Sequence, residues 1–244
     1  MNVLIVYAHP EPTSFTAALK DTAVETLEAL GHSVELSDLY ADGFNPVAGR
    51  HDFTTIADPS RFHYQTEQLY ASKNKGFSTE LTREQERLLK ANLMVFVFPI
   101  WWGGMPAIMK GWFERVLAYG IAYSDGKRYE QGYFFGKRGI LCLTTGGSGK
   151  RFSSEGTYGS IEDVLYPTQR CMLEYIGLEV MEPFVAYATP RLDDDARKAY
   201  LQNWAVQLRS IVTDASWQDR LEQAKDIQKR NRVISEEQGW SIPR

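Results

Sequence analysis

Short apolar runs recur along the chain and are separated by longer segments with helical periodicity. Residues 3–8, 93–99, 139–144 and 180–186 are almost continuously apolar, which is typical of parallel strands covered on both faces. Residues 33–39 alternate apolar and polar side chains and predict an edge strand beside the first one. The pattern therefore predicts a five-stranded parallel sheet.

Amphipathic segments lie between these runs. Apolar positions at helical spacing predict helices over residues 15–30, 82–91, 108–119, 161–176 and 196–212. Strands and helices that alternate in this way require crossovers, which are almost always right-handed. We expect an α/β fold with a flavodoxin-like, doubly wound five-stranded parallel sheet in the order 2-1-3-4-5 and helices on both faces.

One long polar segment interrupts this rhythm at residues 41–79. Loops of this length inside a compact domain are usually functional or interfacial. We interpret the segment as an ordered excursion held by aromatic residues, namely Phe44, Phe53, Phe62 and Tyr64.

Two domains are predicted, a large one over residues 1–212 and a helical or extended tail over residues 213–244. The tail is polar but carries Trp217 and Trp240. It is either one helix with a segment that packs on a neighbour or a partly disordered end.

Charge and hydropathy exclude several classes of partner. The net charge is −4 and no block of Lys and Arg occurs, which argues against nucleic acid as a partner. The first apolar run follows the N-terminus directly, without a targeting segment, so a cytoplasmic protein is predicted. The longest apolar stretch, residues 93–109, is interrupted by prolines and glycines, which argues against membrane insertion.

The thiols and imidazoles show no spacing that is typical of a metal site. Cys142 lies in a predicted strand and Cys171 in a predicted helix, and both are predicted to be buried. We expect no zinc site among the four histidines, which are His9, His32, His51 and His63.

Hydroxyl residues follow the first strand, at the predicted start of a helix. They are Thr13, Ser14 and Thr16 within residues 9–16. Free amides at a helix start, together with the helix dipole, bind anions such as phosphate. An ordinary helix cap explains the same residues equally well.

Two tryptophans follow the third strand. Trp101 and Trp102 precede Gly103 and Gly104, and glycines let the backbone approach a flat ring closely. A planar aromatic ligand is therefore indicated, with burial of the indoles in the core as the alternative.

A glycine-rich loop, TTGGSG at residues 144–149, follows the fourth strand. It matches neither the GxGxxG nor the Walker pattern, and a plain loop is the alternative to a ligand-binding one. The predicted winding brings all three segments to one edge of the sheet. A phosphate site beside an aromatic crevice matches the shape of a flavin nucleotide.

Four stretches carry a resemblance to a known family. They read AHPEPTSF at residues 8–15, SDLYADGFNP at residues 37–46, PAIMKGWFERV at residues 106–116 and TTGGSG at residues 144–149. They resemble the NAD(P)H:quinone oxidoreductases of the flavodoxin-like superfamily, the DT-diaphorase type. The resemblance implies an NAD(P)H dehydrogenase (quinone) with FAD as its cofactor and FMN as the alternative. It also implies a homodimer whose pocket lies at the interface.

The resemblance also implies individual roles. Charge on the reduced flavin would be stabilised by Tyr158 and by the amides of Gly146 and Gly147. The implied flavin-binding residues are His9, Thr13, Ser14, Phe15, Thr16, Pro99, Ile100, Trp101, Trp102, Gly103, Thr144, Thr145, Gly146, Gly147 and, near the adenine end, Arg197. The implied substrate pocket comprises Trp102, Tyr123, Arg151, Phe152, Tyr158 and Tyr175.

The chain departs from the family pattern beside this pocket. Phe152 stands where the family has a tyrosine, and Tyr158 stands where it has a histidine. Arg151 adds a cation at a position that is apolar in the family. These departures bear on acceptor preference and rate more than on fold.

The implied reaction is a ping-pong transfer of hydride from NAD(P)H to flavin N5 and then to a quinone or similar small molecule. One alternative is a flavoprotein with weak reductase activity that serves an ion-efflux or other partner system as an ancillary subunit. A second alternative is a one-electron carrier like flavodoxin, against which the chain length and the paired tryptophans argue.

Overall fold

The computed structural model describes the backbone of residues 1–237 and the side chains of residues 1–229. A parallel sheet lies at its centre. Its strands are β1 (Asn2–Tyr7), β2 (Ser33–Asp38), β3 (Leu93–Pro99), β4 (Arg138–Thr144), β5 (Glu179–Val180) and β6 (Phe184–Ala186). They are arranged in the order β2-β1-β3-β4-β5, with β6 also paired to β4, and this order confirms the predicted flavodoxin-like topology.

Helices cover both faces of the sheet, because successive strand residues point to opposite sides. The helices are α1 (Phe15–Ala29), α2 (Tyr64–Asn74), α3 (Thr79–Lys90), α4 (Ala107–Val116), α5 (Ile161–Thr168), α6 (Asp194–Val212) and α7 (Ala215–Glu237). Leu4 and Val6 pack with α3, α4 and α5, whereas Val3 and Ile5 pack with α1, α6 and α7. Among residues 1–237, none of these helices combines the length and the apolar character that a membrane span requires.

The fifth position of the sheet holds two short strands where a single one was predicted. The Met181 amide still donates to the Gly139 carbonyl at 2.8 Å, but Pro183 has no N–H to continue the ladder. Pairing with β4 resumes at Phe184. An edge strand tolerates this interruption because only one neighbour loses a hydrogen bond.

Residues 161–176 are helical throughout, but with three different pitches. After α5 the chain forms one π turn at Gln169–Leu173 and then a short 3-10 turn at Glu174–Ile176. The π turn changes which residues face the core, so that Leu173 is buried and Cys171 is exposed. The prediction of a buried Cys171 is therefore wrong, whereas Cys142 is buried in β4 as expected.

Helix α2 lies inside the excursion and was not predicted. Its buried residues include Glu67 and Gln68, so the helix has no apolar stripe that a periodicity search would detect. The Glu67 carboxylate accepts from the Ala57 amide at 2.8 Å, and Gln68 Oε1 accepts from the Tyr119 amide at 3.1 Å. The helix is thus held by buried hydrogen bonds.

A buried ion pair fixes the excursion onto α4. Arg115 donates to Asp52 Oδ1 through Nε at 2.9 Å and through Nη2 at 2.6 Å, and neither side chain is exposed. Tyr64 donates to Asp52 Oδ2 at 2.6 Å, and Glu80 accepts from Arg115 Nη1 at 2.6 Å. Removing one member would leave a buried charge without its partner.

The predicted aromatic residues of the excursion gather around Phe53. The ring centroids of Phe62, Tyr64 and Phe77 lie between 5.5 and 6.3 Å from that of Phe53. Phe44 is buried separately beneath the Arg115 guanidinium, whose Cζ lies 4.9 Å from its ring centroid. The excursion is ordered, as predicted.

Helix α7 packs on the chain's own sheet domain. Trp217 is fully buried and donates from Nε1 to the Gly136 carbonyl at 2.9 Å. Asp214 caps the helix, and hydrogen bonds from the Ser216 hydroxyl, from Arg138 Nη2 and from the Trp217 amide lower its pKa. Trp240 lies outside the described residues, and the domain boundary at residues 212 and 213 stays a prediction.

Helix α4 passes very close to the excursion at Gly111. A Cβ there would lie 2.3 Å from the Pro46 carbonyl oxygen and 2.4 Å from the Pro46 Cα. We expect Gly111→Ala to destabilise the chain despite a gain in helix propensity of about 1 kcal/mol. Overpacking costs about 1–3 kcal/mol, and the contact here is with main-chain atoms, so we expect the upper part of that range. Urea unfolding should therefore show a net loss of about 1–2 kcal/mol.

Gly104→Ala is the matched control, because a Cβ at Gly104 has no neighbour within 4 Å. Its free energy of unfolding should stay within about 0.5 kcal/mol of that of the unsubstituted chain. Equal stability of Gly111→Ala and Gly104→Ala would contradict the close approach at Pro46.

Candidate functional site

Three loops meet where β1, β3 and β4 end. We call them the β1 loop (residues 9–16), the β3 loop (residues 99–104) and the β4 loop (residues 144–149). The Ala8 amide donates to the Val97 carbonyl at 3.0 Å, and the Ile100 amide donates to the Thr144 carbonyl at 2.8 Å. The winding reverses between β1 and β3, which is where open α/β sheets form their ligand crevice.

The β1 loop is organised by its own polar side chains. The Glu11 amide donates to His9 Nδ1 at 3.0 Å, and the Glu11 carbonyl oxygen lies 3.2 Å from the same nitrogen. In the neutral tautomer that accepts from the amide, Nε2 carries the proton and can donate to a ligand. Glu11 Oε1 accepts from the Thr13 hydroxyl at 2.7 Å and the Thr13 amide at 2.9 Å, which lowers the pKa of Glu11. Both donors of Thr13 are therefore already engaged.

Helix α1 begins within the β1 loop and offers amides to an anion. Ser14 is the N-cap, and its Oγ accepts from the Ala17 amide at 3.1 Å. The amides of Phe15 and Thr16 come earlier in the first turn, where a helix provides no carbonyl partner. Arg197 lies beside this turn, with Cζ 6.0 Å from the Phe15 ring centroid. Helix dipole and guanidinium together favour a phosphate here.

A buried hydroxyl pair joins the β1 loop to the end of β4. Thr16 Oγ1 and Thr144 Oγ1 lie 2.8 Å apart, and both side chains are buried. The hydroxyl of Thr16 is therefore directed into the fold, so that its backbone amide is what it can offer to a ligand.

The β3 loop is a tight hairpin that carries one indole in solvent. Trp101 and Gly104 exchange main-chain hydrogen bonds of 2.9 and 3.1 Å. Trp102 and Gly103 form the turn with φ angles of 51° and 74°, as type I′ turns require. The Trp102 side chain is fully exposed, and the Trp101 ring lies 5.9 Å from the His9 ring. Core packing of Trp102 is thereby excluded.

The β4 loop presents Gly146 and Gly147 beside two aromatic rings. The Thr145 hydroxyl donates to the Gly147 carbonyl at 2.7 Å, which fixes the turn. A Cβ at Gly147 would lie 2.9 Å from Phe152 Cε2 and 3.0 Å from Tyr158 Cε2, whereas a Cβ at Gly146 would meet nothing within 4 Å. Space for a ligand thus opens over Gly146.

Arg151 and Tyr158 lie side by side next to this loop. The Tyr158 amide donates to the Arg151 carbonyl at 2.9 Å, and Arg151 Nη1 donates to the Tyr158 hydroxyl oxygen at 3.3 Å. The Phe152 and Tyr158 rings lie 5.0 Å apart, with Phe152 buried and Tyr158 half exposed. These three predicted pocket residues are brought together at the β4 loop.

Tyr123 and Tyr175 lie elsewhere on the chain. Their rings are 5.5 Å apart, and Tyr175 also contacts Tyr129 at 5.6 Å. Burial raises the pKa of both Tyr123 and Tyr175. Among the described residues, neither makes a ring contact with the three loops, so these two predicted wall residues do not join the site within one chain.

The segment after β6 contributes residues that sequence reasoning missed. The Ala188 amide donates to the Gly147 carbonyl at 2.8 Å, and the Thr189 amide donates to the Thr145 carbonyl at 3.0 Å. Arg191 Nη2 donates to the Gly146 carbonyl, and the Tyr187 ring lies 5.9 Å from that of Phe152. The rule that ligands bind beyond strand ends, extended to the fifth strand position, would have found them.

The site thus joins an anion-binding helix start to an open crevice with an exposed indole and glycine amides. A protein-family model described as a flavodoxin-like fold matches residues 1–208. The chain belongs to this flavodoxin-like family. The strand order agrees with this family, and so does the position of the crevice where the winding reverses between β1 and β3.

Several flavodoxin-like relatives carry quinone reductase names. Rat NAD(P)H dehydrogenase [quinone] 1 is 42% identical over 209 residues, which cover 85% of this chain and 76% of the relative. Human ribosyldihydronicotinamide dehydrogenase [quinone] is 37% identical over 210 residues, covering 86% and 91%. A putative quinone reductase from Klebsiella pneumoniae has a TM-score of 0.84 and 38% identity, covering 87% and 85%. The predicted resemblance is confirmed.

The Thr16–Thr144 pair provides a stability test of the site geometry. Thr144→Val should leave the Thr16 hydroxyl buried without its partner, at a cost of about 1–3 kcal/mol. The measurement is the free energy of unfolding in urea.

The double variant Thr16→Val, Thr144→Val removes both polar groups and should lose less stability than the sum of the single variants. Strictly additive losses would show that the two hydroxyls do not interact.

Proposed function

We propose that this flavodoxin-like chain is a flavin-dependent NAD(P)H:quinone oxidoreductase. The observation that carries the proposal is the meeting of the β1, β3 and β4 loops at the switch point, with an exposed indole beside unobstructed glycines. The names of relatives that share more than four-fifths of this chain support the same reaction class. When bound, the flavin would supply the two-electron chemistry between dihydronicotinamide and acceptor.

The β1 loop fits the phosphate-bearing arm of the cofactor. The Phe15 and Thr16 amides, His9 Nε2 and the Arg197 guanidinium form a set of donors with one cation, which suits a phosphate. We assign FAD as the cofactor, with Arg197 toward the adenine end, and FMN as its alternative. A phosphate bound at Thr13 would have to displace the Glu11 carboxylate from both Thr13 donors.

The β3 and β4 loops fit the flat ring. Trp102 is fully exposed and would cover a ring face, while Pro99, Ile100 and Gly103 would flank the ring from the same strand end. The Gly146 and Gly147 amides provide donors for a ring edge on which negative charge develops. These assignments follow from the positions of the residues at the strand ends.

Tyr158 is assigned a catalytic role as a hydrogen-bond donor. Its oxygen accepts from Arg151, so its own proton is available for a ligand. Phe152, packed against the Tyr158 ring, holds that ring beside Gly147 and excludes water from its inner face. Reductant and acceptor would occupy the open side of the crevice in turn, in a ping-pong cycle.

A second copy of the chain would complete the pocket in this proposal. Tyr123 and Tyr175 form an aromatic surface away from the three loops of their own chain, so they would line the pocket only across a dimer interface. The homodimer and the cytoplasmic location stay predictions. The ancillary-subunit alternative has no specific observation in its favour.

Cofactor identification tests the central assignment. The purified protein, supplied with FAD and with FMN in parallel, should retain one of them in a stoichiometric complex that is yellow. Heat release followed by chromatography identifies which flavin was bound. Failure to retain either flavin would refute the proposal.

Turnover separates the enzyme from the ancillary subunit. Flavin-loaded protein should reduce a simple quinone with NADH, NADPH or ribosyldihydronicotinamide, with a kcat in the ordinary enzymatic range of about 1–1,000 per second. The donor that gives the highest kcat/KM identifies the reductant. Stable flavin binding with negligible turnover for all three donors would favour the ancillary role.

Tyr158→Phe removes the donor hydroxyl but keeps the ring. Losing one such donor costs about a hundredfold in rate where charge develops, so stopped-flow flavin reduction should slow by up to that factor. Tyr166→Phe is the control, because Tyr166 is an exposed tyrosine on α5. Rates within about twofold of each other for the two variants would remove Tyr158 from the mechanism.

A further inference from the structure

Three cations surround the β4 loop, and we call Lys150, Arg151 and Arg191 the mouth cations. Arg191 donates to the Gly146 carbonyl, and Arg151 donates to the Tyr158 hydroxyl. Among the described side chains, none of the three lies within ion-pair distance of a carboxylate. By contrast, the surface arginine Arg128 pairs with Asp125 at 3.1 Å. The mouth of the crevice therefore has uncompensated positive charge in a chain whose net charge is −4.

The backbone holds Arg151 in place at this mouth. The short 3-10 helix Gly149–Phe152 begins directly after the β4 loop. Hydrogen bonds from Tyr158 N to the Arg151 carbonyl and from Arg151 N to the Ser148 carbonyl, both 2.9 Å, close the segment. A Cβ at Gly156 would lie 2.4 Å from the Arg151 carbonyl oxygen, so only glycine allows this closure. The backbone position of Arg151 is thus set by this turn.

Arg151 also contacts the proposed donor, Tyr158. Its Cζ lies 6.0 Å from the Tyr158 ring centroid, and the only polar side-chain partner that the structure gives it, among the described residues, is the neutral Tyr158 hydroxyl. The remaining N–H groups of the Arg151 guanidinium form a planar set of donors that suits an oxyanion. A planar acceptor bound beside Tyr158 would bring one of its ring substituents against this guanidinium.

We propose that Arg151 is a specificity-determining residue that binds an oxyanion substituent, such as a carboxylate or sulfonate, on the quinone-like acceptor. This inference rests on the proposed function. It means that the enzyme prefers acidic quinones over neutral ones with the same ring.

The test compares a naphthoquinone that carries a carboxylate with its methyl ester, using flavin-loaded protein. For each variant the quantity measured is the ratio of the two kcat/KM values, because the intrinsic reactivity of each quinone cancels between variants. Arg151→Met should lower this ratio about fivefold, mainly through a higher KM for the carboxylate, since an exposed charge contact contributes up to about 1 kcal/mol. Arg151→Lys should restore most of the ratio.

Two control variants remove one positive charge elsewhere. Lys150→Met acts one residue away and should change the ratio less than Arg151→Met. Lys90→Met removes a charge near the amino-terminal ends of the strands, where α3 ends just before β3 begins. It should leave the ratio unchanged. Equal effects of Arg151→Met and Lys150→Met would overturn the assignment to Arg151.

A binding measurement keeps the inference separate from turnover. Calorimetric titration of flavin-loaded protein with 2-naphthoate and with 2-naphthamide should show a preference for the anion that is lost in Arg151→Met and weakened by salt. The inference would be overturned if Arg151→Met lowered the affinity for NADH but left the ratio of the two kcat/KM values unchanged. Arg151 would then bind the reductant and not the acceptor. If neither quinone is turned over, the proposed function itself is refuted.

Discussion

Main-chain hydrogen bonds that continue past the strand ends determine the geometry of the whole site. The Ala8, Ile100 and Thr145 amides each donate to the neighbouring strand just beyond the regular ladder, at 3.0, 2.8 and 3.0 Å. Each loop therefore departs from a point that is fixed by the register of the sheet. A one-residue slip in any of these strands would turn every side chain of that strand to the other face and move its loop out of the crevice.

Buried polar groups hold the parts of the chain that the hydrophobic core does not reach. Glu84 accepts from Ser37 at 2.6 Å and from Trp112 Nε1 at 3.0 Å, which ties the edge strand β2 to α4 through α3. Asp52 and Arg115 do the same for the excursion. Such networks stabilise only when every member is satisfied, and they specify a unique arrangement more than an apolar patch would.

The strands, their order and the three loops could be predicted because burial on both faces leaves continuous apolar runs. Helix α2 could not be predicted, since two of its three buried positions are Glu67 and Gln68. The exposure of Cys171 depends on a π turn that has no signature in the periodicity. The last predicted run ends at Ala186, where β6 ends, but the residues after it carry no motif like those of the three loops and were therefore missed. Their role follows from main-chain hydrogen bonds to the β4 loop, which the sequence does not reveal.

The hairpin of the β3 loop has a mechanical consequence. Trp102 has a φ of 51°, a conformation that costs an L-residue roughly 1–2 kcal/mol and that the paired hydrogen bonds of Trp101 and Gly104 enforce. The main chain thus fixes the Cα and Cβ of Trp102, while the fully exposed indole is left free to adopt other χ1 and χ2 rotamers. A ring placed in this way can change its tilt over a ligand without any movement of the backbone.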